Sequence, residues 1–519
     1  MFWLNGDAAK CPPTRPRHLL EVVRNGQPCK QRKYHAVSRM GDNHNLGVFN
    51  NNVSAVERAM VERYFLCKVG DDYLPALETT QAEWDTDVLR RFADECADYV
   101  RQFATKVSLR EVVNSYSGAK RRVYENALRS LYRNSINRKD ANLRPFTKFE
   151  KQDLSKAPRI INPRSPRYNL KLGQYLKKTE KLYFKAINRA WGEHTTHTVI
   201  KGLNSLESAA VMRAKWDRFT DPVALGLDAT KFDMHVSVWA LLFEHSVYNK
   251  TFNSSELERL LSWQRDNKGL AYCPDGTVKF RMPGTRASGD LNTSLGNCII
   301  MCALILEMCT LLAVDAELAN NGDDCVLIFE RAELENVLEC VPGFFARKGF
   351  RMTVEEPVAM FEQIEFCQSR PVLLESGWCM IRNVRTCLRK DPMCLLPIQN
   401  DKVWRKWLGA VGECGMASVP GCPVLSAFYR AFYRNGAKAT DRYKHHVFRN
   451  TGVLERMTSS KQTRITAESR ASFTLAFGIT PDYQIALEKY YDQFEISGLC
   501  DEVRSGVVEN SPPAFLRHL

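Results

Sequence analysis

The chain has 519 residues, 44% of them hydrophobic and 25% charged. That balance is ordinary for a globular protein, and the length exceeds what one core supports, so two or three subdomains are expected. Lys and Arg outnumber Asp and Glu by 73 to 59, a formal net charge of +14, which favours a polyanionic partner such as nucleic acid or an acidic membrane surface.

The opening "MFWLNGDAAKCPPTRPR" has no apolar core long enough for a signal peptide. Residues 15–39 are basic and rich in Pro, Gly and Gln, and read as an extended, poorly ordered arm that either binds RNA or links to something upstream. From Val53 the pattern turns helical, with Val56, Met60, Val61 and Phe65 at near-helical spacing, and helical patterns continue to about Arg138. Residues 144–169, rich in prolines and bases, predict loops and short strands. "KLGQYLKKTEKLYFKAINRAW" then reads as helix. His194 and His197 have no carboxylate partner nearby in sequence and read as structural.

"DPVALGLDATKFD" changes the texture. The apolar run Val223 to Leu227, bounded by Pro222 and Asp228, reads as a buried central strand. Asp275-Gly276 between alternating runs predicts a hairpin. "PGTRASGDLNTSLGN" leads into "CIIMCALILEMCTLLAV", which imitates a membrane span but is short and carries Glu307 in its middle, so a buried helix behind an active site is expected and no membrane span. "ANNGDDCVLIFE" predicts a second hairpin. After Leu388 the pattern is mainly helical and basic. The 17 cysteines include no C-x-x-C pair; a reduced cytosolic compartment with most thiols buried fits them, and zinc does not.

Three stretches carry chemistry when taken together: Asp228-x4-Asp233 at a strand end, Ser288-Gly289-Asp290-x2-Thr293-x3-Asn297 entering a helix, and Gly322-Asp323-Asp324 in a hairpin turn. Each alone is commonplace. Adjacent carboxylates repel, and bound cations remove that repulsion. The reaction that uses such parts is phosphoryl transfer with two divalent ions roughly 3.5–4 Å apart. Hard cations such as Mg²⁺ take a few carboxylates and fill their shells with water or phosphate. Asp228 and Asp323 are the expected bridging ligands, and Asp324 an occasional one. Gly322 lets the chain turn tightly enough to aim them outward.

"GLDATKFDMHVS", "SGDLNTSLGN" and "NNGDDCVLIF" closely resemble the palm motifs of viral RNA-dependent RNA polymerases, in detail those of the tombusvirus-like positive-strand group. "KAPRIINPRSPRYNLKLGQYLKK", "VIKGLN", "EFCQSRPV", "MIRNV" and "NLGVFNNNVSAVERAMVERYF" are similar to further segments of that group. The resemblance runs over roughly residues 44–450.

It implies an α+β right-hand fold: an N-terminal arm at 1–45, fingers at 46–220, a palm with an antiparallel sheet at 221–384 that carries a fingers insertion at about 246–283, and a helical thumb with a tail at 385–519. It implies template-directed RNA synthesis from nucleoside triphosphates, with pyrophosphate released and chains begun de novo. Two Mg²⁺ ions, which Mn²⁺ can replace, would sit on Asp228, Asp323 and Asp324. Asp233 and Asn297, helped by Ser288 or Thr293, would read the ribose 2′-hydroxyl. Lys148, Lys156, Arg159 and Arg164 would serve the triphosphate, with Arg159 favoured because arginine grips phosphate bidentately. Lys348 is where the family places a proton donor to pyrophosphate, and a solvated helix end explains it equally. Arg286 and Gly289 are expected to face RNA. Arg430, Arg434, Lys438 and Arg442 recur every four residues, which puts them on one helix face if Gly436 does not break it; that basic face lines an RNA exit channel, or is a solvated face with its aromatics in the core. The expected partners are RNA template and product, nucleoside triphosphates, and a membrane-anchored viral replication protein or fused upstream segment, in membrane-associated complexes in the host cytoplasm. A reverse transcriptase would usually carry Tyr-x-Asp-Asp in the turn and a bulky residue near the ribose. A non-catalytic RNA-binding scaffold gains nothing from clustered acids beside RNA.

Overall fold

The computed structural model describes residues 19–41, 45–192, 197–448, 451–458 and 462–496. Its centre is a four-stranded antiparallel sheet in the order Ala316–Asn321, Asp324–Glu330, Pro222–Ala229, Met352–Val354. Strand Pro222–Ala229 is covered on both faces, which is why its sequence is a continuous apolar run rather than an alternation. Val223, Leu225, Leu227 and Ala229 join the largest core. Ala224 joins a second cluster with Trp216, Phe361 and Phe366.

Helix Thr293–Leu312 is long and apolar enough to cross a membrane, and most of its length is buried in the protein. Its residues Leu295 to Ile305 pack in the same core as the sheet and as helices Asp87–Arg101, Glu180–Trp191 and Val238–Phe252. A helix apolar all round belongs in such a position.

Both predicted hairpins form. Asp266–Cys273 pairs with Gly276–Pro283, and Ala316–Asn321 pairs with Asp324–Glu330. The loop region holds the short strands Phe146–Thr147, Gln152–Asp153 and Ile160–Ile161, and the next helix starts earlier than expected, at Pro166. Helix Val53–Met60 runs into a π-helical turn, Val61–Phe65.

The expectation of a poorly ordered arm over residues 15–39 is corrected where the chain is described. Strand Leu20–Arg24 extends the hairpin sheet against Gly276–Pro283, and His35–Ala36 pairs with Met393–Cys394. The hydroxyls of Tyr490 and Tyr491, in helix Pro481–Gln493, donate to the carbonyls of Arg39 and Met40 at 2.6 and 2.9 Å. Backbone pairing and burial of Leu20 and Met40 outweigh the polar composition. Residues 1–18, and with them Arg15, lie outside the described residues, as do His194 and the tail from 497.

The C-terminal region has its own core, built from Trp404, Trp407, Phe428, Phe432, Phe473 and Tyr491. Helix Leu425–Asn435 ends at Asn435, so Lys438 and Arg442 do not continue the face of Arg430 and Arg434. Arg430 pairs with Asp492 at 3.0 Å, and Arg434 donates to the Phe494 carbonyl at 2.8 Å. The single four-residue face is corrected to a shorter one: Arg430 and Arg434 are exposed and bond the C-terminal helix and the residues after it, over the buried Phe428, Tyr429 and Phe432, as the solvated-face alternative expects.

Candidate active site

Antiparallel register sets Asp228 directly opposite Asp324 on neighbouring strands. Asp323 stands in the turn beside them, after Gly322 at φ +92°, a left-handed conformation that favours glycine. The buried Asn320 clamps this turn. Its amide donates to the Gly322 carbonyl at 2.7 Å and its side-chain oxygen accepts from the Gly322 amide at 3.1 Å. Asn320 was not singled out in the sequence, although Asn before a Gly-Asp turn is the type that clamps one.

Asp228 and Asp323 are exposed and Asp324 half-buried. Burial and the Asp323 charge raise the Asp228 pKa. Burial pushes Asp324 up to about 6, against a 2.9 Å hydrogen bond from the Cys367 amide that pulls it down. No Lys or Arg pairs with Asp228 or Asp323 among the described residues. Three crowded oxygen-donor carboxylates, none ion-paired to a protein cation among the described residues, suit a hard divalent ion. The described residues contain no closed set of three His, Cys, Asp or Glu ligands. Mg²⁺ does not need one, because it keeps water and substrate phosphate in its shell.

Next to the aspartates lies a cluster of polar side chains. Asp233 sits in the short helix Phe232–His235, whose backbone accepts from the Arg286 amide at 2.9 Å. Its carboxyl is pushed up to about 7, first by burial and then by Asp323, while Arg286 and Arg63 pull it down. Asn297 is buried, and its side-chain oxygen accepts from Arg286 Nε at 3.0 Å. Ser288 is half-buried, and its carbonyl accepts from the Asn162 amide at 2.7 Å. The Thr293 hydroxyl donates to the Ala287 carbonyl at 3.0 Å, so it braces the loop and leaves Ser288 as the freer hydroxyl. Gly289 is exposed at φ +142°, with Asn162 against the place where a Cβ would stand.

Three expected ligand contacts are corrected. Arg286 is fully buried, ion-paired to Glu244 and bonded to Asn297, so it orients Asn297 and does not face RNA. Arg164 is buried against Asp290, and its guanidinium also donates to Ala141 O and Asn267 Oδ1, both at 2.6 Å, which leaves nothing for a triphosphate. Lys348 is buried and paired with Glu307 at 2.7 Å, so it neutralises the acid inside the apolar helix and is not the solvated helix end that was the alternative. Of the remaining cations, Lys148 and Arg159 share Glu150 at 2.7 and 3.5 Å. Arg159 is exposed, and Lys156 is exposed with no acid partner among the described residues.

Sequence reading missed residues brought in from far along the chain. Arg63 and Tyr64, in the π-helical turn, lie against the Asp233 helix. The Arg63 guanidinium donates to the Ala157 and Pro158 carbonyls at 2.7 Å and so holds the loop that carries Lys156 and Arg159. Burial pushes the Tyr64 hydroxyl up, with Asp233, Asn162 and the Ser288 backbone around it. Asn162 is fully buried, and neither of its side-chain polar atoms closes a well-formed hydrogen bond. Lys231, inside the D-x4-D stretch, is brought down to about 8 by burial and by Arg63. Only Lys231 had a sequence signal, its place within that motif. Turns of the π type cluster at functional sites, but they leave no mark in the sequence.

Two neighbouring strands that end in carboxylates, a cluster of polar side chains beside them and the exposed cations Lys156 and Arg159 make up the candidate site. A family model described as viral RNA dependent RNA polymerase matches residues 20–498. The chain is 40% identical over 484 residues to the RNA-directed RNA polymerase of Tobacco necrosis virus (strain A), covering 92% of this chain and 66% of that protein. It is also 40% identical to the enzymes of Cymbidium ringspot virus and of Tomato bushy stunt virus (strain Cherry), covering 93% of this chain and 58% of each. The chain belongs to the viral RNA-dependent RNA polymerase family, and it spans about three fifths to two thirds of the length of these relatives.

Proposed function

We propose that this chain is the polymerising part of a viral replicase, copying RNA from an RNA template. The register that sets Asp228 against Asp324, with Asp323 in the turn, carries the reading. In this reading the four-stranded sheet is the palm of a right hand, within 221–384. The hairpin inside about 246–283 belongs to the fingers with 46–220, and the helices after 385 form the thumb. Of the segment 1–45, the described residues 19–41 are then a strap across the hand.

Asp228 and Asp323, with Asp324, would hold two Mg²⁺ ions, or Mn²⁺ in their place. Such ions supply charge neutralisation to the attacking and leaving oxygens of an in-line displacement. An RNA 3′-oxygen attacks the α-phosphorus of a nucleoside triphosphate. The new P–O bond forms as the bridge to the β-phosphorus breaks, pyrophosphate leaves, and the hydroxyl proton passes to water. Lys156, Arg159 and Lys231 bind the triphosphate. Asp233, Asn297 and Ser288 surround the ribose 2′-hydroxyl, so a deoxynucleotide leaves buried polar groups unpaired. The proposal extends to initiation de novo, a membrane-anchored viral partner or upstream segment, and residence in membrane-associated complexes of the host cytoplasm.

The test is template-dependent incorporation of labelled ribonucleotides with Mg²⁺ by wild type and Asp323→Ala. Extension should fall by at least about 10²–10³-fold in the variant, as when a main electrostatic stabiliser is removed. Equal extension by both would overturn the assignment.

A further inference from the structure

A groove of about 1010 Å³ opens beside the Asp323 turn. Helix Glu180–Trp191 forms one wall, and the segments around 201 and 456 continue it. Lys181, Lys185, Lys201 and Arg456 line it, against the acids Glu180 and Glu455. Lys181 and Lys185 are one helical turn apart and share a helix side. None of these four cations has an acid partner among the described residues. Elsewhere basic residues are commonly paired: Lys171 with Glu256, Lys178 with Glu111, Lys250 with Asp94. Unpaired cations gathered on one concave surface suit a chain of phosphates.

The backbone ties this groove to the carboxylates. Residues 198–200 run parallel to the end of strand Ala316–Asn321. The Ile200 amide donates to the Asn320 carbonyl at 2.9 Å, and the Asn320 amide donates to the Thr198 carbonyl at 2.8 Å. Lys201 follows at once, and its ammonium lies 3.9 Å from where a Cβ on Gly322 would stand. Asn320, which clamps the turn, is thus also the anchor that delivers Lys201 to it.

Sheet order separates this surface from the other cations. The groove lies at the outer strand Ala316–Asn321, whereas Lys231 extends from the end of Pro222–Ala229, two strands away. The carboxylates stand between two basic surfaces, and the reaction brings together two phosphate-bearing molecules. Resting on the polymerase reading above, we infer that the groove takes the backbone of the RNA strand being extended, and that Lys201 holds the phosphate nearest its 3′ end against the Asp323 turn. Lys201 is a positioning residue for that end, and Lys181, Lys185 and Arg456 grip phosphates further along the strand.

The experiment measures binding of a fluorescent primer–template RNA from 50 to 200 mM NaCl, and separately KM for that RNA and for nucleoside triphosphate. It uses the full chain as wild type, Lys201→Met, Lys201→Arg, Lys181→Met/Lys185→Met and Asp323→Ala. Each lost phosphate contact should reduce the salt slope by about 0.7–0.9 and weaken binding roughly 3–10-fold. Lys201→Met should raise KM for RNA and leave KM for triphosphate unchanged, and Lys201→Arg should recover most of the loss. Unchanged affinity and slope in folded Lys201→Met and Lys181→Met/Lys185→Met would overturn the inference, as would a rise confined to KM for triphosphate. Asp323→Ala should bind RNA as wild type does while losing extension. If it extends normally, the polymerase assignment fails, whatever the lysine variants show.

Discussion

Lys348 and Glu307 form an ion pair at 2.7 Å with both side chains almost fully buried. Glu307 lies in the apolar helix Thr293–Leu312 and Lys348 follows helix Leu334–Arg347. The lysine ammonium also donates to the Glu83 carbonyl, so one buried cation joins three separate parts of the chain.

Breaking this pair strands a charge. Lys348→Met should destabilise the protein by roughly 3–5 kcal/mol, because Glu307 remains buried and unpaired. Lys348→Met with Glu307→Met should recover most of that loss, since an apolar pair of similar volume replaces an ion pair at little cost. Thermal or denaturant unfolding of both variants checks this. The double variant should also extend RNA; a folded but inactive one would return Lys348 to the chemistry.

Asp233 should make the metal-free protein sensitive to pH. Its carboxyl is raised from 3.8 to about 7, so the native state binds a proton that the unfolded state has released between those values. The stability is fully present below 3.8 and is lost as pH rises through about 7. Asp233→Asn keeps the shape without the charge. Its stability advantage over wild type should grow from pH 4 to 7, to about 4 kcal/mol, and then level off. An advantage that is flat with pH would contradict the cause assigned to the shift.

What the sequence made legible was local. The strand ending in Asp228 and the turn at Asp323 advertise themselves through an apolar run and a Gly-Asp-Asp turn, and register did the rest. What stayed hidden depended on partners distant in sequence. Arg164 and Arg286 look like ligand cations until Asp290 and Glu244, 126 and 42 residues away, are seen to hold them. Tyr64 and Asn162 meet over a similar distance through a π-helical turn, which has no residue preference to read. The strap over 19–41 reads as disorder because backbone pairing, which composition does not report, holds it.

Tyr64 lies against Asp233 and the Ser288 backbone, in the cluster proposed to read the ribose. Its hydroxyl stands among Asn162, the Ser288 backbone and Asp233, and the Asn162 amide has no other firm partner. Tyr64→Phe should leave stability within about 1 kcal/mol, one ordinary hydrogen bond, and reduce the preference for ribonucleotides over deoxynucleotides by roughly 2–10-fold. Paired kcat/KM measurements for a ribonucleotide and its deoxy form check this; an unchanged ratio would make Tyr64 packing only.

Arg286 reaches the same proposed ribose cluster through Asn297. Its guanidinium spans Glu244 on one side and Asn297 Oδ1 on the other, and Glu244 in turn accepts from Asn292 at 2.7 Å and Tyr248 at 2.9 Å. Lysine keeps the charge but not the planar fork, so it cannot serve both ends. Arg286→Lys should therefore keep the ion pair and release Asn297. We expect a stability loss of about 1–3 kcal/mol from the unmade hydrogen bond and a fall in ribonucleotide preference, with RNA affinity and its salt slope unchanged. The last measurement separates the two roles considered for this residue. An arginine that touched RNA would move the slope; one buried between Glu244 and Asn297 would move only the choice of sugar.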